Sequence, residues 1–300
     1  MATKFLLKCL IFFAVIAAFI FVLVMPQYDT EYMAALGDKF ALVRADTQPK
    51  ILLVGGSNVA FGFDSALLEE KTQMRVVNFG VHAALGQPFH ADIIKNQLNP
   101  GDIVILAPEY YDYTSDDCDY VLAWLSMERD APLFLAAAKG GHLGGLLSAF
   151  PTYFQRAAGR FVDRLRGVAE PDERTRYEFD AHGDYAAPRP ERIVEMGESS
   201  SFNSPLLSEY LRNYWNNFNE VAHKKGATVY MSCPPIVAEA LSVELKPLQE
   251  QLEKDLGFPV ISQLADYVYP FDFFYDTGFH LNDEGRIIRS LQLAEDLSTR

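Results

Sequence analysis

Short runs rich in Val, Ile and Leu alternate with amphipathic stretches along this chain, and that alternation restricts its fold more than any other feature. Lys50–Val54, Arg75–Phe79, Asp102–Ala107 and Thr228–Ser232 read as strands, with Pro259–Ser262 as a short fifth. These runs lack the polar alternation of a strand with one wet face, so they suit a sheet covered on both sides. Asp64 stands where it can cap a helix over Ala66–Lys71. Leu206–Lys225 carries Tyr210, Tyr214, Phe218 and Val221 on one face and stops at Gly226. Leu245, Leu248, Leu252 and Leu256 mark a further helix ended by Gly257, and the last helix starts at Asp283. Strands alternating with helices predict an α/β domain: a three-layer α/β/α arrangement around a mostly parallel sheet of about five strands.

Two segments stand outside that alternation. Cys9–Met25 holds seventeen residues without a polar or charged side chain. Extended back through Phe5 around Lys8, the run reaches about 21 residues, or roughly 31 Å of helix, enough to cross the hydrocarbon core. Lys4 and Lys8 precede it and Asp29, Glu31 and Asp38 follow it, which predicts a cytoplasmic N-terminus and an extracytoplasmic domain, in a bacterial periplasm or at a cell surface. The bulky Val22-Leu23-Val24-Met25-Pro26 favours a retained anchor over a cleaved signal peptide. The expected plan is thus an anchor at 1–26, a polar stalk at 27–49, and one α/β domain at 50–300. The second segment, 112–203, is too long for a crossover between strands and reads as a largely helical insertion. Within it a helix over Thr152–Arg166 sets Arg156, Arg160 and Arg164 in a basic stripe beside an apolar one. Those arginines either pair locally or face anionic headgroups.

Composition narrows the function. A net charge of −14 repels phosphate backbones, so nucleic acid is not the expected partner. Cys118 and Cys233 have no metal-ligand spacing, so no metal is expected; their pairing in a disulfide stays open. No lysine follows the glycine turn and GxGxxG is absent, which argues against a phosphate loop.

Ligands of a parallel α/β sheet bind beyond the carboxyl ends of its strands. Gly55-Gly56-Ser57-Asn58, Asn78-Phe79-Gly80-Val81-His82-Ala83 and Pro108-Glu109-Tyr110 fall there, and Asp276…His280 precedes the last helix. A serine hydroxyl is a weak nucleophile; a histidine must take its proton and a carboxylate must orient the histidine. Glycines let backbone N–H groups approach a developing oxyanion. Ser57, His280 and Asp276 are therefore the candidate nucleophile, base and orienting carboxylate, with Asp272 an alternative to Asp276. Ser57 could instead be a turn serine, and His82 a structural loop histidine. Glu109 and Tyr110 could line the site or pack beneath the insertion.

The order and context of these blocks resemble the SGNH (GDSL-like) hydrolase superfamily, over about 51–111 and 204–297. The resemblance is strongest to its membrane-anchored branch, which includes the D-alanyl transfer protein DltD and alginate O-acetylation proteins. Gly56-Ser57-Asn58 stands where that family has Gly-Asp-Ser, Asn78–Gly86 at its second block and Asp276…His280 at its last. Asp276 and His280 are four apart where the family spaces them three apart, and Glu109 lies near the position of its oxyanion asparagine. The resemblance implies a serine-dependent esterase or O-acyltransferase acting on acyl groups of a cell-envelope polysaccharide or similar hydroxylated substrate. It further implies oxyanion donors at Ser57 and Ala83, a pocket including Gly56, Asn58, Gly80, His82 and Glu109, and no cofactor. Partners would be a membrane, through residues 5–25, and a membrane-bound O-acyltransferase. The alternative is a catalytically degenerate accessory protein.

Overall fold

The computed structural model describes residues 2–45, 47–115, 117–168, 174–189, 206–241 and 243–299. In chain order the main elements are α1 (Ala2–Phe19), α2 (Ala35–Ala45), β1 (Lys50–Gly55), α3 (Ser57–Ala60), α4 (Ser65–Thr72), β2 (Arg75–Asn78), α5 (Gln87–Ile94) and β3 (Ile103–Ala107). There follow α6 (Tyr120–Ser126), α7 (Ala131–Ala137), α8 (Leu143–Leu165), α9 (Glu209–Lys224), β4 (Thr228–Met231), β5 (Ile236–Val237), α10 (Lys246–Asp255), β6 (Val268–Tyr269) and α11 (Asp283–Ser298).

The fold is α/β around a four-stranded, fully parallel sheet of order β2-β1-β3-β4. Alternate strand residues feed two separate cores. Leu52, Val54, Val104, Leu106 and Val229 join one, with α2, α5 and α9; Ile51, Leu53, Val76 and Ile105 join the other, with Leu68 of α4 and Leu293 of α11. Both faces are therefore covered, which is why the strands read as unbroken apolar runs. The expected fifth strand, Pro259–Ser262, shrinks to a single bridge between Val260 and Met231. Pro259 has no N–H for a ladder, and Ser262 turns its hydroxyl to Ser232, Tyr267 and Asp296. At the opposite end of the sheet from the candidate site, the Lys50 ammonium pairs with Asp102 at 3.3 Å, both side chains fully buried.

Local signals explain most boundaries. Asp64 caps α4 by accepting from Leu67 N at 3.0 Å. Ser208 caps α9 and Asn282 caps α11 in the same way. Residues 3–24 form an exposed apolar helix long enough to cross a membrane, and Ala131–Leu165, which spans α7 and α8, also passes that test of length and composition.

Much of the expected stalk at 27–49 is drawn into the core, from Gln27 to Val43. Leu36, Phe40 and Val43 recur at helical spacing on α2 and are fully buried. The insertion helix begins well before Thr152: α8 starts at Leu143, after Gly141 (φ 106°) turns the chain out of α7. The stretch 190–203 of the insertion lies outside the described residues. Cys118 and Cys233 are both unpaired thiols.

Candidate active site

Three strand ends converge because glycine lets them touch. A Cβ on Gly55 would sit 2.6 Å from Ala107 O, one on Gly56 2.8 Å from Ala83 N, and one on Gly80 2.6 Å from Ala60 N. Contacts under 3 Å to backbone cannot be relieved by a rotamer change, so these positions exclude any side chain. The result sets the Ser57 turn, at the C-terminal end of β1, directly against the loop that follows β2. Asn78 secures that loop: its amide donates to Val59 O at 2.8 Å and Asp184 at 2.7 Å, and its oxygen accepts from Gly80 N at 3.0 Å. Asn58 ties the turn to β3 by donating to Ala107 O at 3.1 Å.

Asp276 and His280 form a bonded pair, His280 Nδ1 to Asp276 Oδ1 at 2.6 Å. The four-residue spacing works because the segment is a small hairpin. Phe274 bridges Leu281, and Tyr275 N donates to His280 O at 2.8 Å, so Asp276 and His280 meet across its neck. Asp276, rather than Asp272, orients the histidine; the Asp272 carbonyl accepts from the Asn282 side chain instead. The imidazole stacks on Phe61 with ring centroids 4.1 Å apart and planes 8° apart. That leaves Nε2 as the nitrogen without a partner among the described residues. Burial favours the neutral acid at Asp276, but the bonds and charges of His280 and Arg174 outweigh it and hold the carboxyl down at about 2. Arg174 makes an ion pair with the second Asp276 oxygen.

Ser57 and His280 line the same cavity, of about 500 Å³. His82 and Arg174 share its polar side, while Phe61, Tyr28, Tyr32 and Met33, with Leu122 and Leu125 of α6, supply an apolar wall. His82 Nδ1 accepts from Ala84 N at 3.1 Å, so its neutral ring carries the proton on Nε2. Desolvation lowers the His82 pKa, Glu109 opposes the shift and His280 adds to it. The Ser57 and Ala83 amides face no acceptor among the described residues.

Glu109 lies under Ser57 and is only 2 % exposed. Its Oε1 accepts from Ser57 Oγ at 3.1 Å and from Asn58 N at 3.0 Å. The carboxylate thus holds the serine turn from below. Among the described residues the Ser57 hydroxyl bonds to Glu109 and not to His280. Neighbouring Asp112 accepts from Glu109 N at 2.9 Å; burial, reinforced by Glu109, raises its pKa well above the ordinary range.

Sequence reasoning missed several supports. Arg174, Asp184 and Arg189 all come from the insertion, with no motif around them. Asp184 accepts from Ser65 N and Oγ at 2.6 and 2.7 Å, and Arg189 donates to Phe61 O and Leu281 O. Arg289, buried on α11, donates to Asn58 O at 2.6 Å and Cys233 O at 3.1 Å. No periodicity announced it: α11 buries Gly285, Arg289, Ser290 and Leu293, while its apolar Ile287 and Leu291 are exposed. Among the described residues no cluster of His, Cys, Asp and Glu could hold a metal.

The expected basic stripe of α8 does not face outwards as a unit. Arg160 pairs with Glu31 and lies over the Tyr28 ring at 4.6 Å, while Arg164 donates to Gln27 Oε1 and O at 3.1 and 3.2 Å. No family model and no curated protein matches this sequence.

Proposed function

We propose that this chain is a serine-dependent esterase or O-acyltransferase with a three-layer fold of the SGNH type, and that Ser57, His280 and Asp276 are its triad. The observation that carries the reading is the 2.6 Å Asp276–His280 pair on a cavity that Ser57 also lines. With Nδ1 bonded to Asp276, the His280 ring offers Nε2 as the base. In this reading the Ser57 hydroxyl leaves Glu109 for that nitrogen, the two groups lining one cavity. The oxygen then attacks the acyl carbon, its proton passes to Nε2, and the unpaired Ser57 and Ala83 amides receive the oxyanion. His280 returns the proton to the leaving alcohol, and a water or a second hydroxyl releases the acyl group.

The N-terminal apolar helix supports an anchored domain on the extracytoplasmic side. A polysaccharide or similar hydroxylated acceptor in the cell envelope, served by a membrane-bound O-acyltransferase, fits such a location. A serine-reactive fluorophosphonate tests the chemistry. The full chain should label and should hydrolyse small acyl esters, and Ser57→Ala should do neither while melting at the same temperature. Equal labelling of the alanine variant would remove Ser57 from the mechanism.

A second reading rests on the Ser57–Glu109 hydrogen bond. A hydroxyl held by a buried carboxylate is turned away from the histidine, as a non-catalytic accessory protein would leave it. Absence of labelling in the wild-type chain would select this reading.

A further inference from the structure

Helix α8 has three faces. Leu146, Tyr153 and Ala157 are buried against the domain. Arg156, Asp163 and Arg166, with Ser148, Thr152 and Gln155, make a polar face on the far side. Between them runs an apolar stripe: Leu143, Leu147, Phe150, Phe154, Phe161 and Leu165, at the i, i+4, i+7 spacing that keeps one face of a helix. Leu147 is 63 % and Leu165 73 % exposed, and the three phenylalanines are partly exposed. Over 23 residues the stripe is about 34 Å long.

This stripe is continuous with the apolar N-terminal helix. Phe161 meets Phe19 edge to face, with centroids 6.3 Å apart. The junction is built rather than incidental. Tyr153 OH donates to Met25 O at 2.9 Å, and Arg160 and Arg164 bind Glu31 and Gln27. Val24 and Met25 are buried in the same packing. The direction in which α1 leaves the domain is therefore set by α8.

We propose that α8 is an interfacial helix that lies on the bilayer beside α1, with the Leu143–Leu165 stripe in the acyl–headgroup boundary. The inference rests on α1 crossing the bilayer. A helix with an apolar face, a separate charged face and its long axis free to lie flat binds in this plane. The arrangement also places the cavity. Tyr28 lies four residues beyond Val24, so at most about 14 Å of chain separates the cavity wall from the end of the span. Helix α6 joins the two: Leu122 and Leu125 line the cavity, while Trp124 stacks on Tyr153 at 5.3 Å and donates to Leu146 O. A substrate held at the membrane surface is then within reach of Ser57.

The test reconstitutes the full chain in vesicles of mixed zwitterionic and anionic phospholipid containing a lipid with a photoactivatable diazirine in its acyl chain. Adducts are located by mass spectrometry. Adducts are expected on α1 and on Leu147 and Leu165, at least tenfold above those on Tyr210 and Val221, which are exposed on α9. Leu147→Glu with Leu165→Glu should remove the α8 adducts and leave those on α1. Labelling of α1 with α8 no higher than α9 overturns the proposal. Absence of adducts from α1 overturns it together with the reading of α1 as a span. If native membranes give a protein cross-link to α8 in place of lipid adducts, a protein covers the stripe and the proposal fails. None of these readouts depends on turnover, so they remain separate from the assignment of Ser57.

Discussion

Ser57 Oγ donates to Glu109 Oε1 at 3.1 Å, from the cavity wall to a carboxyl that is almost wholly buried beneath it. The same oxygen accepts from Asn58 N, so Glu109 both anchors the serine turn and places a carboxylate beside the nucleophile. Those two effects oppose each other if Ser57 attacks an acyl group, because a carboxylate near a developing oxyanion is unfavourable.

Glu109→Gln separates them. The amide oxygen can still accept from Asn58 N, while the carboxylate is gone. The second-order rate of fluorophosphonate labelling should rise about tenfold, equivalent to about 1.4 kcal/mol of barrier. A fall in that rate with an unchanged melting temperature would mean that Glu109 acts on the serine directly.

Asp276 should leave a signature in the pH dependence of stability. Its folded pKa is about 2 against an ordinary 3.8. A depressed carboxyl contributes stability that is fully present above the unfolded value and is lost as pH falls through the folded one. The contribution is about 2 kcal/mol. In detergent, Asp276→Asn should melt below the wild type at pH 6, and the gap should close between about pH 4 and 2. A gap independent of pH would show that the carboxylate charge is not what the pair uses.

Lys39 predicts a slope of the same sign in a separate, alkaline window. Its ammonium is buried beneath the loop after β2 and donates to Gly80 O. Burial lowers its pKa to about 7, against the weaker pull of Asp184 and Asp180. Below pH 7 the folded protein must keep a buried charge. From pH 7 towards 10 the unfolded chain holds more protons than the folded one, so stability rises with pH. Lys39→Met should remove that rise. Parallel melting curves for wild type and variant between pH 7 and 9 would contradict it.

The Lys50–Asp102 pair should be costly to break and cheap to replace. Asp102 also accepts from Lys50 N at 3.1 Å and Asn99 N at 2.8 Å. Asp102→Ala leaves a buried ammonium without its counter-charge and should cost about 3–5 kcal/mol in chemical unfolding. Lys50→Met with Asp102→Leu should recover more than half of that loss. A double variant as unstable as the single one would show that the backbone bonds to Asp102, not the charge, dominate.

Local chemistry made much of this protein legible in the sequence. The β1–β4 runs, the Asp64 cap, the stop at Gly226 and the apolar N-terminal helix depend on propensity, period and capping, which act over a few residues. The glycines around Ser57 also announced a close approach of backbones. What the sequence could not show was everything that depends on which segments meet. The Asp276–His280 pair needed the 274–281 hairpin, and the partner of Ser57 turned out to be a glutamate 52 residues away. Arg174, Asp184 and Arg189 reach the site from an insertion without any recognisable motif. The stalk became core because Leu36, Phe40 and Val43 found an apolar surface, and Arg160 and Arg164 of α8 are held by Glu31 and Gln27 while Arg156 stays exposed. Periodicity states which side of a helix is apolar; only tertiary packing decides whether that side meets the core, a neighbouring helix or solvent.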